Sequence, residues 1–369
     1  MKKNIILLFF SLFLILASLE IFIKIFYPQN LSGWYAVRDE SGLNILRNNS
    51  TYYHRVFDRK IKYNFGNLNN RTTIETNEKD RILFLGDSFT FGWLVNDKDT
   101  FIHLIQDYLN NYQIINSSVP GWGTADYTRF TENYCENIKP KKIIVVLNTD
   151  DFRRGYISKL YKMDISNVIK KNTDTNNIFN SSYFEIMNKF NVTLGKEKQL
   201  VTSSKFHKIP FYKFLIKNSH LFYLIRETVV NIKNGKFLNT KTELKDEFLI
   251  PNVSIPEEYE VANIFGKILF VRLNELAKKC KSELNVIYTG WYDYKNLPFL
   301  HNPTIYFLSE AKNFFKNQNI KYFDLTDRMK IMHINPRKYI IKYDGHPNEL
   351  GHKIIAENII HLFKTNQIN

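Results

Sequence analysis

Three apolar runs separated by two helical patterns constrain the fold of this chain most. The runs lie at residues 82–85, 113–116 and 142–147, with helical patterns at 100–110 and 124–138 between them. Apolar residues recur every three to four positions in the helical segments, which predicts amphipathic helices that cover a core. Strand, helix, strand, helix and strand in this order predict a parallel sheet with helices on both faces.

The same alternation returns in the last third of the chain. It predicts helices at 258–281 and 304–315, strands at 285–288 and 321–325, and a final helix after Pro347. Five strands in all predict an α/β fold of the flavodoxin-like type, a three-layer α/β/α sandwich around a five-stranded parallel sheet.

Between residues 155 and 258 the alternation stops. Apolar residues at helical spacing in 211–232 predict a helical insertion there. Insertions at the carboxyl ends of strands often cover a site as a lid. Packing against the outside of the domain is the other interpretation.

The first apolar run leads directly into Gly86-Asp87-Ser88-Phe89-Thr90-Phe91-Gly92. Gly86 permits a tight turn, Asp87 can hydrogen-bond within that turn, and Ser88 then lies at the start of a helix. This edge of the sheet is where α/β proteins bind ligands. A plain turn with a capping serine would give the same local pattern, so the stretch does not decide the matter alone.

A second polar stretch, Asp344-Gly345-His346-Pro347-Asn348, precedes the final helix. A serine hydroxyl is a weak nucleophile until a base takes its proton, and histidine serves best as that base when a carboxylate orients it. In an extended segment, residues two apart point to the same side, so Asp344 and His346 are expected to share a face. A capped loop before a helix explains this stretch alone but not both stretches together.

These stretches, in this order, resemble the SGNH hydrolases, the GDSL-type esterases and lipases, and in particular their bacterial membrane-anchored members. A further block of that family is matched by Asn116-Ser117-Ser118-Val119-Pro120-Gly121. The resemblance implies Ser88 as nucleophile, His346 as base, Asp344 as the residue that orients it, and the backbone N–H of Gly121 as an oxyanion donor.

Two departures from the family pattern concern the same site. The third block of the family has an oxyanion-donating Asn after a strand, and here Asp150 stands at that position. A carboxylate would repel a developing oxyanion unless it were protonated. Asn148 can serve as the donor in place of Asp150 only if the strand end is shifted. In addition, Asp344 precedes His346 by two residues, where many members have three.

The first residues predict a membrane anchor. Residues 5–26 are apolar over about the twenty residues that cross a bilayer, and Lys2 and Lys3 precede them. The expected arrangement is a single-pass protein with a cytoplasmic N-terminus and an extracytoplasmic domain. A cleaved signal peptide is the alternative, although no clear small-residue cleavage site follows.

We therefore predict an anchor at 1–29, a linker or edge segment at 30–80, and a hydrolase-like domain at 81–369 with the insertion at about 155–258. The net charge of +15 raises the possibility of nucleic-acid binding. No basic helix, zinc spacing or RNA-binding motif accompanies it, so anionic headgroups or acidic glycans are the more economical partners. No phosphate-binding loop or metal-ligand spacing is present, and we expect no cofactor or metal. Whether Cys135 and Cys280 pair stays open.

The predicted function is hydrolysis of acyl or acetyl esters in the cell envelope, on an acylated lipid or glycan. An O-acetyltransferase of surface polysaccharide would use the same machinery with a glycan hydroxyl in place of water. A non-catalytic glycan-binding or assembly protein is the third interpretation, motivated by Asp150.

Overall fold

The computed structural model describes residues 2–31, 34–56, 59–71, 79–148, 150–164, 179, 181–195, 210–233, 256–290, 304–330, 336–342 and 344–368. The strands are β1 Ala36–Arg38, β2 Asn44–Leu46, β3 Ser50–Val56, β4 Arg59–Phe65, β5 Asp80–Gly86, β6 Tyr112–Asn116, β7 Lys142–Leu147, β8 Tyr161–Lys162, β9 Thr193–Leu194, β10 Glu283–Tyr288 and β11 Lys321–Asp324. The α-helices are α1 Lys2–Phe26, α2 Ser88–Phe91, α3 Phe101–Tyr108, α4 Thr124–Ile138, α5 Asp151–Ile157, α6 Tyr183–Lys189, α7 Pro210–Asn218, α8 His220–Lys233, α9 Pro256–Lys279, α10 Thr304–Asn317, α11 Pro336–Tyr339 and α12 Glu349–Lys364.

Five parallel strands form the main sheet, in the order β11-β10-β7-β5-β6. Within this sheet, β5 comes first along the chain and lies between β6, which comes second, and β7, which comes third. This is the flavodoxin-like strand order. The predicted fold class is therefore confirmed. Because all five strands run the same way, their carboxyl ends meet at one edge of the sheet. Of the predicted site residues, Ser88 follows β5, Gly121 follows β6 and Asp150 follows β7, while Asp344 and His346 come after β11.

Helices cover both faces of this sheet, because its strands are apolar on both sides. On one face, alternate residues of the central strands, among them Phe84 and Ile144, form a buried cluster with Ile105 of α3 and Ile359 of α12. The intervening residues point to the other face, where α4, α5 and α9 contact one another. Strands buried on both faces read as continuous apolar runs, which is why the sequence located them well.

The chain divides into two compact units. The larger contains residues 36–50, 63–198 and 248–369 and holds the main sheet. Residues 30–80, predicted as a linker or edge segment, contain β1 to β4 and buried side chains such as Leu43 and Tyr63. The strands form two pairs, β1 with β2, which is antiparallel, and β3 with β4. The smaller unit contains residues 1–35, 51–62 and 199–247.

Helix α1 of the smaller unit includes a segment, Asn4–Phe26, of 23 residues that contains an 18-residue window with a mean hydropathy of 2.7, and it is long and apolar enough to cross a membrane. The segment predicted as helical at 211–232 forms two helices, α7 and α8. The break falls at Ser219, whose hydroxyl accepts a hydrogen bond from the N–H of Phe222 and so starts a new helix. Much of the predicted lid at 155–258 lies outside the described residues.

A disulfide joins Cys135 of α4 to Cys280, directly after α9, with the two Cα atoms 6.1 Å apart. The sequence had left this pairing open. The bond closes a loop over a sequence separation of 145 residues and joins two helices on the same face of the sheet. Closing a long loop restricts the unfolded chain, which is the usual source of a disulfide's contribution.

Reduction of this disulfide is expected to lower the free energy of unfolding by about 2–4 kcal/mol. Urea unfolding of the full-length protein in detergent, with and without reductant, measures the change. The double variant Cys135→Ala/Cys280→Ala is the control and should unfold at the same, lower urea concentration with or without reductant. An identical midpoint for the oxidised and reduced wild type would contradict the expectation.

Candidate active site

Ser88 lies at the turn that leads from β5 into α2, and its side chain is almost fully buried at 6% exposure. Asp87 caps α2, because its carboxylate accepts a hydrogen bond from the N–H of Phe89 at 2.9 Å. A Cβ at Gly86 would lie 2.2 Å from the hydroxyl oxygen of Thr90 and 3.1 Å from the carbonyl oxygen of Val146. Only glycine therefore allows the strand and the helix to approach this closely.

The structure brings Ser88, His346 and Asp344 together, although Ser88 and His346 are 258 residues apart in the sequence. Nε2 of His346 lies 2.7 Å from the Ser88 hydroxyl oxygen, and Nδ1 lies 2.5 Å from a carboxylate oxygen of Asp344. When Nδ1 donates its proton to the carboxylate, Nε2 is left as an acceptor for the serine hydroxyl. A hydrogen-bond chain of this kind can activate a serine hydroxyl as a nucleophile.

The short spacing between Asp344 and His346 is accommodated by a turn. The N–H groups of Asp344 and Gly345 both donate to the carbonyl of Ile341, and Gly345 has a φ of 87°. The sequence predicted an extended segment here, with both side chains on one face. The left-handed glycine instead curls the chain, so that the Asp344 carboxylate meets both the ring and the backbone N–H of His346.

The local charges favour the ionised form of Asp344. Burial raises its pKa, but hydrogen bonds and the charge of His346 and a hydrogen bond from the Trp93 side chain outweigh burial. The net pKa lies below the ordinary value for an aspartate. Asp344 therefore remains an acceptor for His346 at neutral pH.

Two aromatic side chains fix the His346 ring. Phe89 lies with its ring centroid 4.8 Å from that of the imidazole, and Trp93 lies at 6.2 Å. Trp93 also donates a hydrogen bond to Asp344, so it contacts both His346 and Asp344. Sequence reasoning missed it, although it directly follows the Gly86–Gly92 stretch and that position was the available signal.

Asp87, next to Ser88, is fully buried and holds three strand ends together. Its carboxylate accepts hydrogen bonds at 2.8 Å from the Asn148 amide, after β7, and from the Arg154 guanidinium, on α5. The side-chain oxygen Oδ1 of Asn148 in turn accepts a hydrogen bond at 2.9 Å from the hydroxyl of Thr289, which follows β10. The turn that carries Ser88 is thus joined to the neighbouring strands by side chains.

A second buried carboxylate, Asp151, lies beside this cluster. It accepts hydrogen bonds at 2.8 Å from the Tyr127 hydroxyl and from the backbone N–H of Asn148. Complete burial raises the pKa of Asp151 well above its ordinary value, and the charge of Asp87 raises it further, while Arg154 opposes both effects. Asp151 therefore favours the protonated form beside the Asp87 carboxylate.

The residues predicted for the oxyanion site have distinct surroundings. Gly121 has a φ of 86°, and a Cβ there would meet nothing within 4 Å, so its backbone conformation is the feature that calls for glycine. The Asp150 carboxylate is held by Arg153 at 2.7 Å and by Arg154 at 3.0 Å. The Asn148 side chain faces the buried Asp87 cluster.

Arg71, from the stretch predicted as a linker, holds the segment that follows Ser88. Its guanidinium is 2% exposed, pairs with Asp97 at 2.6 Å, and donates to the carbonyls of Phe91, Gly92 and Val95. Three carbonyls and one carboxylate around a single side chain fix the path from α2 to Trp93. No pattern in the sequence marked Arg71, because its partners all lie 20 or more residues away.

Comparisons with known proteins gave structural similarity only. A scan against protein-family models found no match, and a search of curated proteins found none either.

Esterases of the GDSL type are among the solved structures to which this chain is similar. A psychrotrophic esterase from Pseudoalteromonas sp. is 10% identical, with a TM-score of 0.42, over 79% of this chain and 100% of that chain. A lipolytic G-D-S-L family protein from Veillonella parvula is 13% identical, with a TM-score of 0.39, over 77% and 98%. An acetyl xylan esterase is 10% identical, with a TM-score of 0.39, over 76% and 98%. Because the TM-scores are this low, these likenesses carry no inference about function, and the fold and the chemistry of the site are inferred from strand order and side-chain contacts.

Asp151→Asn is expected to change how stability depends on pH. Because the folded pKa of Asp151 is raised, its contribution is full below the unfolded pKa and is lost as pH rises towards the folded pKa. Asparagine does not titrate, so the stability of the variant relative to wild type should rise with pH in that window, by up to about 1.4 kcal/mol per pH unit.

Urea midpoints at several pH values between about pH 4 and about pH 7 provide the measurement, because this window runs from the ordinary carboxyl pKa to neutrality. Asp107→Asn is the matched control, because that carboxylate is 58% exposed. Parallel stability curves for Asp151→Asn and wild type would show that Asp151 does not titrate as inferred.

Proposed function

We propose that this protein is a serine hydrolase that cleaves carboxylic ester bonds, acyl or acetyl, in the cell envelope. One observation carries the proposal: the continuous contact from Ser88 through His346 to Asp344, at 2.7 Å and 2.5 Å. The depressed pKa of Asp344 and the aromatic contacts that hold the His346 ring support it.

In the proposed reaction, Nε2 of His346 takes the hydroxyl proton as Ser88 attacks the ester carbonyl. Asp344 keeps Nδ1 protonated and stabilises the imidazolium that forms. His346 then gives the proton to the departing alcohol, which leaves an acyl group on Ser88. Water, deprotonated by His346, attacks this acyl-enzyme and releases the acid and the free serine.

We assign the oxyanion to the backbone N–H groups of Ser88 and Gly121. Ser88 is the first residue of α2, where N–H groups have no partner within the helix and the helix dipole is positive. That Asp150, at the family's donor position, contributes to the oxyanion site stays a prediction. Its ion pairs with Arg153 and Arg154 reduce the repulsion that a bare carboxylate would exert on the oxyanion.

The proposed location is outside the cytoplasm, with α1 as a single membrane anchor and the N-terminus inside. The length and hydropathy of α1 and the two lysines that precede its apolar stretch support this orientation. The Cys135–Cys280 disulfide supports it independently, because disulfides persist mainly in oxidising compartments. An acylated lipid or glycan is the proposed substrate class.

Ser88→Ala and His346→Ala are expected to lower kcat for p-nitrophenyl acetate by about 10⁴-fold or more, since each removes one member of a unit that acts together. Full-length protein in detergent is the sample. Circular dichroism and the urea midpoint show that each variant is folded. Hydrolysis that persists in a folded Ser88→Ala variant would overturn the proposal.

Trp93→Phe is expected to have a smaller effect on the same reaction. Phenylalanine keeps an aromatic ring beside His346 but cannot donate to Asp344, so kcat should fall while KM changes little. The pH profile of kcat/KM should also move, because the hydrogen bond from Trp93 favours the ionised form of Asp344. An unchanged kcat and pH profile would show that Trp93 only packs.

The O-acetyltransferase and binding-protein alternatives are separated by the same assay. An oligosaccharide acceptor should divert acetyl from water only in a transferase. A folded wild-type protein that neither turns over ester nor reacts with a fluorophosphonate would favour the binding protein.

A further inference from the structure

Glu20, inside the apolar helix α1, is bound by the first turn of α8. Its carboxylate accepts hydrogen bonds from the Ser219 hydroxyl at 2.7 Å and from the N–H groups of His220 and Leu221 at 2.7 and 2.9 Å. A carboxylate is costly in a membrane-spanning segment unless polar groups satisfy it. Here the N–H groups and the positive end of the α8 dipole do so.

This contact fixes the depth of α7 and α8 along the anchor. Glu20 precedes Phe26, the end of the apolar segment, by six residues, which corresponds to about 9 Å along the helix axis. A bilayer core is about 30 Å thick, so this position lies in the half of the membrane at the C-terminal end of α1. The turn at Ser219 is therefore held at the level of that leaflet.

Both helices expose an apolar stripe. Phe211 and Phe214 of α7 are three residues apart, and Ile225, Val229 and Ile232 of α8 follow at intervals of four and three. Each of these five side chains is between 52% and 70% exposed. Helical spacing of this kind places each set on one side of its helix. Water is an unfavourable environment for such a stripe.

The polar residues of the pair fit a membrane surface. Residues 210–233 contain four basic residues, Lys213, Lys217, Arg226 and Lys233, and one acidic residue, Glu227. A basic helix with one apolar stripe is the composition that lies in the plane of a bilayer interface. In the same unit, Tyr27 and Trp34 are exposed, and these residue types are enriched at the level of a membrane interface.

We propose that α7 and α8 form a second membrane contact, with their apolar stripes inserted into the leaflet at the C-terminal end of α1. The occupant of the apolar faces is lipid acyl chain. Two observations favour lipid as the occupant. The pair is joined to the candidate membrane span through Glu20, and it has an excess of basic residues. The pair then fixes the smaller unit on the bilayer surface at two places instead of tethering it by one helix.

Tryptophan quenching by brominated lipids tests the proposal. Full-length protein carrying Trp34→Phe is the parent, and Phe214→Trp and Ile225→Trp are introduced singly. Each is reconstituted in vesicles of phosphatidylethanolamine and phosphatidylglycerol with acyl chains brominated or plain. Phe184→Trp is the matched control, because Phe184 is 74% exposed and belongs to the larger unit.

After subtraction of the parent, tryptophans at 214 and 225 should lose several-fold more fluorescence to brominated lipid than the tryptophan at 184. Acrylamide in the water should quench in the opposite order. Quenching by acrylamide and not by bromine at 214 and 225 would overturn the proposal. Protection from both quenchers would also overturn it, since a second copy or another protein segment would then cover the stripe.

Labelling of the unsubstituted protein is an independent measurement should a tryptophan variant fail to fold. Phosphatidylcholine with a photoreactive diazirine in its acyl chain is added to the vesicles, and labelled peptides are mapped by mass spectrometry. Labels on peptides from 210–233, and none on the peptide with α6, support the insertion. Labels confined to α1 would overturn it.

Discussion

The buried carboxylate of Asp87 is the group on which the candidate site depends. It caps α2 and receives hydrogen bonds from Asn148 and Arg154, which follow the neighbouring strand β7. A buried charge is tolerated only when it is paired and fully hydrogen-bonded, so each donor is held in place by the same requirement that stabilises the carboxylate. Ser88, the next residue, takes its position from this arrangement.

Charge compensation explains why acidic residues accumulate so close to a proposed oxyanion. Arg154 contacts Asp87 and Asp150 directly, and its positive charge also reaches Asp151. Burial lowers the pKa of this guanidinium, but the nearby carboxylates outweigh burial and raise it, so Arg154 stays charged at any pH of interest. Burial, followed by the charge of Asp87, raises the pKa of Asp151, so a negative charge on Asp151 is disfavoured relative to an exposed aspartate.

Hydrogen bonds to the backbone give the rest of the site its shape. Arg71 binds three carbonyls between the last residue of α2 and Val95, and Trp93 within that segment reaches Asp344. The ring of His346 is confined by Phe89 of α2 and by Trp93 on the loop that follows α2. Such preorganisation matters because proton transfer requires the serine hydroxyl and the imidazole within hydrogen-bond reach.

The sequence by itself determined the five strands, the helices α3, α4, α9, α10 and α12, and the candidate pair Ser88 and His346, because periodicity and turn residues are local properties. Only the tertiary structure decided that Arg71 and Trp93 serve the site, that Cys135 bonds to Cys280, and that the Asn148 amide faces Asp87. Each of these depends on residues far apart in the chain, whose approach is set by sheet order and packing. A local pattern does not carry that information.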